Sequence, residues 1–329
     1  MSSLAERALR HIEPPTIENI RAARERIAGT AIRTPLIRLP IESPHEIHLK
    51  LESLQPIGSF KLRGATNAIS CLSRDTLADG VYTASAGNMA QGVAWSARAL
   101  GVPCTVVMPE TAPRTKVEAV ERLGGKIVYL PYDEWWQTLA DHGRQGIRGT
   151  FVHPVADRLV MAGNGTIGLE IAEDVPDADA VLVPFGGGGL VCGIATAVRA
   201  IIPKVAVYGC EVATSTPLKA ALAANAPVKV ERTPSFVDGI GGRGVLPEMW
   251  PIVRPLVSGS IVASLDEVAA AVRLLVERAR VVAEGAGATP VACALSHAPA
   301  GRKIVCVVSG GNIDTKILAD ILTAPARTI

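Results

Sequence analysis

The stretch Ala180-Val181-Leu182-Val183-Pro184-Phe185-Gly186-Gly187-Gly188-Gly189-Leu190-Val191-Cys192-Gly193-Ile194-Ala195-Thr196-Ala197-Val198 carries no charged side chain. Its length reaches the roughly 18 residues of a membrane helix. Pro184 and four successive glycines interrupt any such helix near its middle. The better reading is a short buried strand, a glycine turn and the start of a buried helix. A strand that is apolar at every position belongs to a parallel sheet covered on both faces. Four adjacent glycines cost up to about 1 kcal/mol each against alanine in conformational entropy. Their place between two regular elements points to a use, and a helix N-terminus with free backbone N–H groups binds anions.

The same strand–turn–helix pattern recurs on both sides. Upstream, residues 47–51, 80–84, 102–108 and 126–130 read as strands, and 88–100, 114–123 and 134–144 as helices. Thr16 is placed to cap a first helix with Ile17, Ile20 and Ile27 on one face. The rhythm restarts with a helix over 167–174, the strand 180–183, a helix over 190–201 and a strand over 205–210. Later come 266–280 (helix), 303–308 (strand) and 314–322 (helix). Two runs of such units predict an α/β protein of two lobes, each an open, mostly parallel sheet flanked by helices, with a cleft between them. Residues 226–255 are rich in Pro and Gly, have little periodicity, and are expected to wrap the surface or edge a site.

At 329 residues, with 48% hydrophobic and 19% charged, the chain can bury two substantial cores. Lys plus Arg (33) nearly balance Asp plus Glu (31), and aromatics are 4%, which argues against nucleic-acid or membrane surfaces. The first 15 residues are mixed and charged, unlike a signal peptide. Six cysteines without close pairing read as reduced thiols of a cytoplasmic protein. His45-Glu46-Ile47-His48 lacks a third ligand, so no metal site is expected there.

Lys61 lies in Gly58-Ser59-Phe60-Lys61-Leu62-Arg63-Gly64, between a strand and a helix. A lysine framed this way can be desolvated, which frees its amine to form an imine with an aldehyde. A solvated lysine at a helix start has the same local sequence. The tetraglycine turn does not match G-x-G-x-x-G, because position 191 is Val, and no Walker A motif is present; a single phosphate fits better than a dinucleotide. Thr83-Ala84-Ser85-Ala86-Gly87-Asn88-Met89-Ala90-Gln91-Gly92 spans another strand-to-helix junction, where small residues permit close approach to a carboxylate or an ordinary helix cap. Ser309-Gly310-Gly311-Asn312 repeats that arrangement after the strand 303–308, and Glu284-Gly285-Ala286-Gly287-Ala288 places one carboxylate beside glycines at a helix start. Ligands gather at the carboxyl ends of strands in open parallel sheets.

Together these residues resemble the fold-type II pyridoxal-phosphate enzymes of the tryptophan synthase β-like fold, specifically the threonine/serine dehydratase and serine racemase family. The matches run in order: Ser59-Phe60-Lys61-Leu62-Arg63-Gly64, Ser85-Ala86-Gly87-Asn88, Ala162-Gly163-Asn164-Gly165-Thr166, the tetraglycine, Glu284-Gly285-Ala286-Gly287 and Ser309-Gly310-Gly311-Asn312. The resemblance implies pyridoxal 5'-phosphate as cofactor, bound as an imine by Lys61, which later moves protons. It implies Phe60 against the pyridine ring, Asn88 on the ring hydroxyl and Gly186, Gly187, Gly188 and Gly189 on the phosphate. Gly239 and Glu284 would lie close to the cofactor, and Ser309 would face the ring nitrogen. Ser85, Ala86, Gly87, Asn88 and Gln91 would receive the substrate. It further implies a large cofactor-binding domain from residues 1–52 and 153–329, and a small, mobile substrate-loop domain from 53–152. The expected activity is dehydration and deamination of threonine or serine to a 2-oxo acid and ammonia, by a homo-oligomer (dimer or tetramer).

Several positions depart from the family pattern. Ala86 stands where serine racemases carry a second serine, which favours elimination over racemisation. Met89 replaces the usual His and Asn164 the usual Gln, with expected effects on the substrate loop and hinge. The family's divalent-cation site begins with a match at Glu211, but Pro217 stands where an acidic ligand is expected. The stretch 238–243 keeps only the first half of its pattern. Trp135 and Trp136 read either as one core and one surface aromatic or as a wall admitting a bulkier substrate such as phenylserine. The chain stops soon after Leu322, so isoleucine feedback through a C-terminal regulatory domain is not expected. A racemase or β-replacement enzyme, and a non-catalytic binding protein on the same scaffold, are the alternatives.

Overall fold

The computed structural model describes residues 10–112 and 114–325; the start of the charged N-terminal stretch lies outside the described residues. Helix α1 (Ile17–Ile27) is capped reciprocally: the Thr16 hydroxyl accepts from Asn19 N, and the Asn19 side chain accepts from Thr16 N. There follow β1 (Leu36–Arg38), β2 (Glu46–Leu51), α2 (Lys61–Ser70), α3 (Arg74–Ala78), β3 (Val81–Ala84), α4 (Asn88–Leu100), β4 (Cys104–Pro109), α5 (Arg114–Arg122), β5 (Lys126–Leu130), α6 (Tyr132–Ala140) and β6 (Thr150–Phe151). The second run is α7 (Arg158–Asp174), β7 (Ala180–Pro184), α8 (Gly189–Ile201), β8 (Ala206–Val212), α9 (Pro217–Ala224), α10 (Trp250–Leu256), β9 (Gly259–Ala263), α11 (Leu265–Leu274), α12 (Gly285–Ser296), β10 (Lys303–Val308) and α13 (Thr315–Thr323).

These strands form two sheets. The order β5-β4-β3-β6 is parallel throughout and lies wholly within the first run. The order β1-β2-β10-β7-β8-β9 is parallel except for β1, which pairs antiparallel with β2 at the edge. The membrane-length run is thus β7, the glycine turn and α8, and all five residues of β7 are buried. Among the described residues, no helix is long and apolar enough to cross a membrane.

Helix α7 is the element whose sequence reading fell furthest short. It starts at Arg158, nine residues before the expected 167, and Asp157 caps it by accepting from Leu159 N and Val160 N. The glycines that hide its periodicity are there for contact. A Cβ on Gly163 would lie 2.4 Å from Arg63 O, and one on Gly193 of α8 would lie 2.2 Å from Met161 O. Backbones of α2, α7 and α8 therefore meet with no side chain between them, and this packing fixes where α2 begins. The stretch 226–255 is irregular until α10 begins at Trp250, and α3, α9, β1, β6 and β9 were not read from the sequence. The tryptophan pair divides as core plus surface: Trp135 packs with Tyr82, Ala84 and Val107, while Trp136 is exposed.

Candidate active site

Lys61 is the first residue of α2, and the segment before it is zipped to the loop after β10. Phe60 N donates to Ser309 O at 3.0 Å, Ser59 bridges Gly310, and Gly311 N donates to Gly58 O. The Lys61 Nζ donates to Pro154 O at 2.7 Å and stands 5.1 Å from the centre of the Phe60 ring. Burial lowers the ammonium's pKa to about 8, with Glu284 acting in the opposite sense.

The carbonyl that holds Lys61 belongs to a segment the sequence reading missed. Val155, the next residue, fills the space beside the glycine turn: a Cβ on Gly187 would lie 2.7 Å from its Cγ1, and one on Gly189 2.8 Å from its carbonyl oxygen. His153 pins this turn, its Nδ1 accepting from Val155 N (3.0 Å) and Ala156 N (2.7 Å). Burial holds the imidazole well below its ordinary pKa, so it stays neutral and able to accept. Its only trace in the sequence is the His153-Pro154 pair, two residues beyond β6.

Four helices begin at this place: α2, α4, α8 and α12. None has a side-chain cap. Helices α1, α3, α7, α11 and α13 are capped by a Thr, Ser or Asp side chain, whereas α6, α9 and α10, which begin away from this place, have no N-cap side-chain bond either. At α2 the first N–H groups are taken by Ser59 and Phe60, while the uncapped starts of α4, α8 and α12 have no side chain competing with an anion for their first-turn N–H groups. Gly188, the residue before α8, has φ +96°, a conformation that glycine adopts without strain, and a Cβ there would come within 2.8 Å of Val253.

A chain of amides and one carboxylate closes the site. Asn312 Nδ2 donates to Asn88 Oδ1 at 2.8 Å, and Asn88 Nδ2 donates to Glu284 Oε1 at 2.8 Å. Asn88 therefore keeps one amide hydrogen for another acceptor. Gly310 is required here, since a Cβ would lie 2.5 Å from Glu284 Oε1. Burial first, and then Asp238, raise the Glu284 carboxyl to about pKa 7 against the Asn88 hydrogen bond and the charges of Lys116 and Lys61. A Cβ on Gly239 would lie 3.5 Å from Glu284 Oε1, and one on Gly186 3.6 Å from Gly239 O. Ser309 is buried beneath this group. Ser85, Ala86, Gly87, Asn88 and Gln91 are half-buried, whereas Val81–Ala84, Met89 and Ala90 beside them are fully buried. The Ser85 hydroxyl accepts from Gly87 N at 3.1 Å.

A family model described as pyridoxal-phosphate dependent enzyme matches residues 27–310. This chain belongs to the pyridoxal-phosphate dependent enzymes. It is 44% identical over 281 residues to an L-threonine ammonia-lyase of Geobacter sulfurreducens, covering 84% of this chain and 69% of that one. Its fold is similar to that of maize serine racemase, with TM-score 0.88, 32% identity, and 94% and 97% of the two chains covered. The processed threonine deaminase isoform 2 of Solanum lycopersicum gives TM-score 0.84 at 30% identity, covering 98% and 99%. The residues present fit pyridoxal phosphate. A partly desolvated amine stands beside an uncapped glycine-started helix, and Asn88 has an amide hydrogen to give. Gly186 to Gly189, Lys61 and Asn88 are the groups that would hold the phosphate, the aldehyde and the ring hydroxyl.

The positions where this pyridoxal-phosphate enzyme departs from the family pattern now have surroundings. Ala86 presents only a methyl group on the substrate loop. Met89 is buried in the small-lobe core with Ala65, Val93 and Val106, so the expected effect on the substrate loop does not reach it directly. Asn164 is buried between α2 and α7, and neither polar atom of its side chain has a protein partner. A divalent cation does not fit at Glu211. Its Oε1 accepts from Leu218 N at 2.7 Å and its Oε2 from Lys219 N at 2.8 Å and from the Ser260 hydroxyl, with Pro217 opening α9 beside it. The start of α9 supplies the positive end that a cation would otherwise bring. Chelator treatment followed by added magnesium or calcium should leave turnover and melting temperature unchanged. Activation by either ion would overturn this reading of Glu211.

Proposed function

We propose that this chain is an ammonia-lyase that dehydrates L-threonine, and L-serine as a second substrate, to the 2-oxo acid and ammonia. The observation that carries the reading is the Lys61 amine, held at Pro154 O next to Val155, which packs on the glycine turn, while position 86 of the substrate loop carries only a methyl group. Bound pyridoxal phosphate supplies the electron sink for the pair left on Cα when its proton departs. In this reading Lys61 Nζ would hold the cofactor's aldehyde and, as a free amine, would take the Cα proton of the bound substrate. Gly186 to Gly189 bind the phosphate, and Phe60 packs on the ring. The N–H groups of residues 85–88, with Gln91, bind the substrate carboxylate and orient Cα–H toward Lys61. Loss of the Cα proton and the β-hydroxyl as water leaves an enamine that hydrolyses to 2-oxo acid and ammonia. Ser309, a neutral hydroxyl, would donate to the ring nitrogen without adding charge.

Racemisation needs a second acid/base on the opposite face of Cα, and Ala86 has none to give. The free cysteines, five of them buried, suit a reducing compartment, and we place the enzyme in the cytoplasm as a homo-oligomer. Turnover of threonine, serine and phenylserine should be compared by 2-oxo acid release, with chiral analysis of recovered substrate. Threonine should turn over fastest, phenylserine should stay near background because Trp135 is committed to the core, and recovered substrate should keep its configuration. Racemisation outpacing 2-oxo acid release would reject the lyase assignment.

A further inference from the structure

Among the described residues, the irregular stretch before α10 makes two ion-pair contacts and one cation–ring contact with the lobe of β3–β6. Lys116 on α5 pairs with Asp238. The Arg243 guanidinium lies 5.9 Å from the centre of the Tyr132 ring at the start of α6. His142, just beyond α6, places Nε2 3.3 Å from Glu248 Oε1. All the large-lobe partners fall within eleven residues, so this stretch is the rail on which the small lobe rests.

The first contact differs from the other two in what stands behind it. Asp238 precedes Gly239, the residue against the Glu284 carboxylate. Glu284 is faced by Asp238 from this loop, by Lys116 from α5, by Lys61 from α2 and by Asn88 from α4. Two neighbouring carboxylates cannot both ionise cheaply without a counter-charge. With Lys116 in place the Asp238 charge is balanced, and Glu284 can remain an acceptor for Asn88. Withdrawing Lys116 removes one of the charges that lower the Glu284 carboxyl. A protonated Glu284 Oε1 is a poorer acceptor, while Asn88 Oδ1 is already occupied by Asn312.

We propose that Lys116 is a positioning residue for the reaction, pairing with Asp238 to hold the small lobe over Lys61 and to hold Gly239 against the Glu284 carboxylate that anchors Asn88. The proposal rests on the assignment of Lys61, Asn88 and Glu284 to the cofactor site. The pair is partly open to solvent, with 26% of the Lys116 side chain and 47% of that of Asp238 exposed. Ion pairs of that exposure are weak and screened by salt. That suits a contact which must break to admit substrate and re-form to exclude water.

The test uses the holoenzyme with Lys116→Met, Lys116→Arg and the exchanged pair Lys116→Asp with Asp238→Lys. Lys116→Met should move the acid limb of kcat/KM upward by about half a pH unit or more, because a cation near a carboxylate has been removed. It should also remove the salt dependence of kcat/KM and speed backbone hydrogen exchange in residues 114–122 and 236–248. Lys116→Arg should restore the wild-type profile, and the exchanged pair should recover much of the lost exchange protection. A Lys116→Met enzyme with wild-type pH profile and exchange protection would overturn the proposal while leaving the lyase assignment standing. The visible absorbance of lysine-bound cofactor, recorded on every variant, separates the two: its absence from the wild-type protein would instead reject the site assignment on which the proposal rests.

Discussion

Lys61→Ala protein will still bind pyridoxal phosphate at the glycine turn, but will release it on gel filtration and will form no measurable 2-oxo acid. The lost proton transfer alone should cost about 10²- to 10⁴-fold, and loss of the covalent tether comes on top of that. The argument depends on the state of the amine. An ordinary lysine at pH 7.5 is about one part in a thousand unprotonated, whereas a group with pKa about 8 is about one quarter unprotonated. Reconstitution of wild-type apoprotein should therefore speed up as pH rises toward about 8 and level off above it. The depressed pKa has a matching stability consequence. Between about pH 8 and the ordinary lysine value the unfolded chain binds more protons than the folded one, so apoprotein stability rises with pH in that window. Lys61→Arg, which cannot lose its proton, should be as inactive as Lys61→Ala. Activity within tenfold of wild type in either variant would remove Lys61 from the mechanism.

How much of this was legible in the sequence varies from residue to residue for physical reasons. The tetraglycine could be read as a turn opening a helix because it stands between an apolar strand and a helical run, while the packing of Val155 and Val253 that also requires glycine there has no local signature. The turn at 85–88 and the loop at 309–312 could be read because each follows an apolar strand. Glu284 was singled out by its neighbours, but its bond to Asn88 joins positions 196 residues apart and has no local signature. The segment 153–156 was missed because its task, carrying a carbonyl to Lys61 and a side chain to the glycine turn, is done by backbone and by an unremarkable valine. Helix α7 was cut short because its glycines serve helix contact, and a period read from apolar side chains passes over positions that have none. The reading of 226–255 as a wrap or site edge was sound in outline, while its ion pair with Lys116 depends on how the two lobes meet.

The second large effect is expected two residues after the lysine. Arg63 is buried with Glu52, Glu170 and Lys50, and its guanidinium gives its donors to both carboxylates, to the Thr166 hydroxyl and to Ile32 O. Glu52 lies under α2, and Glu170 lies on α7, so the cluster nails the start of α2 to the large lobe. Removing one member of a buried ion pair costs about 3–5 kcal/mol, because the partner is left as an uncompensated charge. Arg63→Met should lose an amount of that order, a large share of the 5–15 kcal/mol typical of a folded domain. Glu170 keeps Lys50 in this variant, so the orphan is Glu52. In the wild type, burial pushes the Glu52 carboxyl up, but Arg63 and the hydrogen bonds from Arg63 and Thr34 overcome this and hold it below the ordinary value. Its contribution is therefore present above the unfolded carboxyl pKa and is lost as pH falls through the lower folded one. In Arg63→Met burial is no longer opposed by Arg63, the folded pKa rises above the unfolded one, and the penalty grows as pH climbs past the ordinary carboxylate range. Melting temperatures of the two proteins should lie closer together at pH 5 than at pH 8, and Arg63→Met with Glu52→Gln should recover part of the loss at pH 8. Lys61 depends on the same cluster for the position of its helix, so the variant that still folds at low temperature should bind pyridoxal phosphate more weakly. An equal deficit at both pH values, or one under about 1 kcal/mol, would show that the cluster does not hold α2 as a buried charge network.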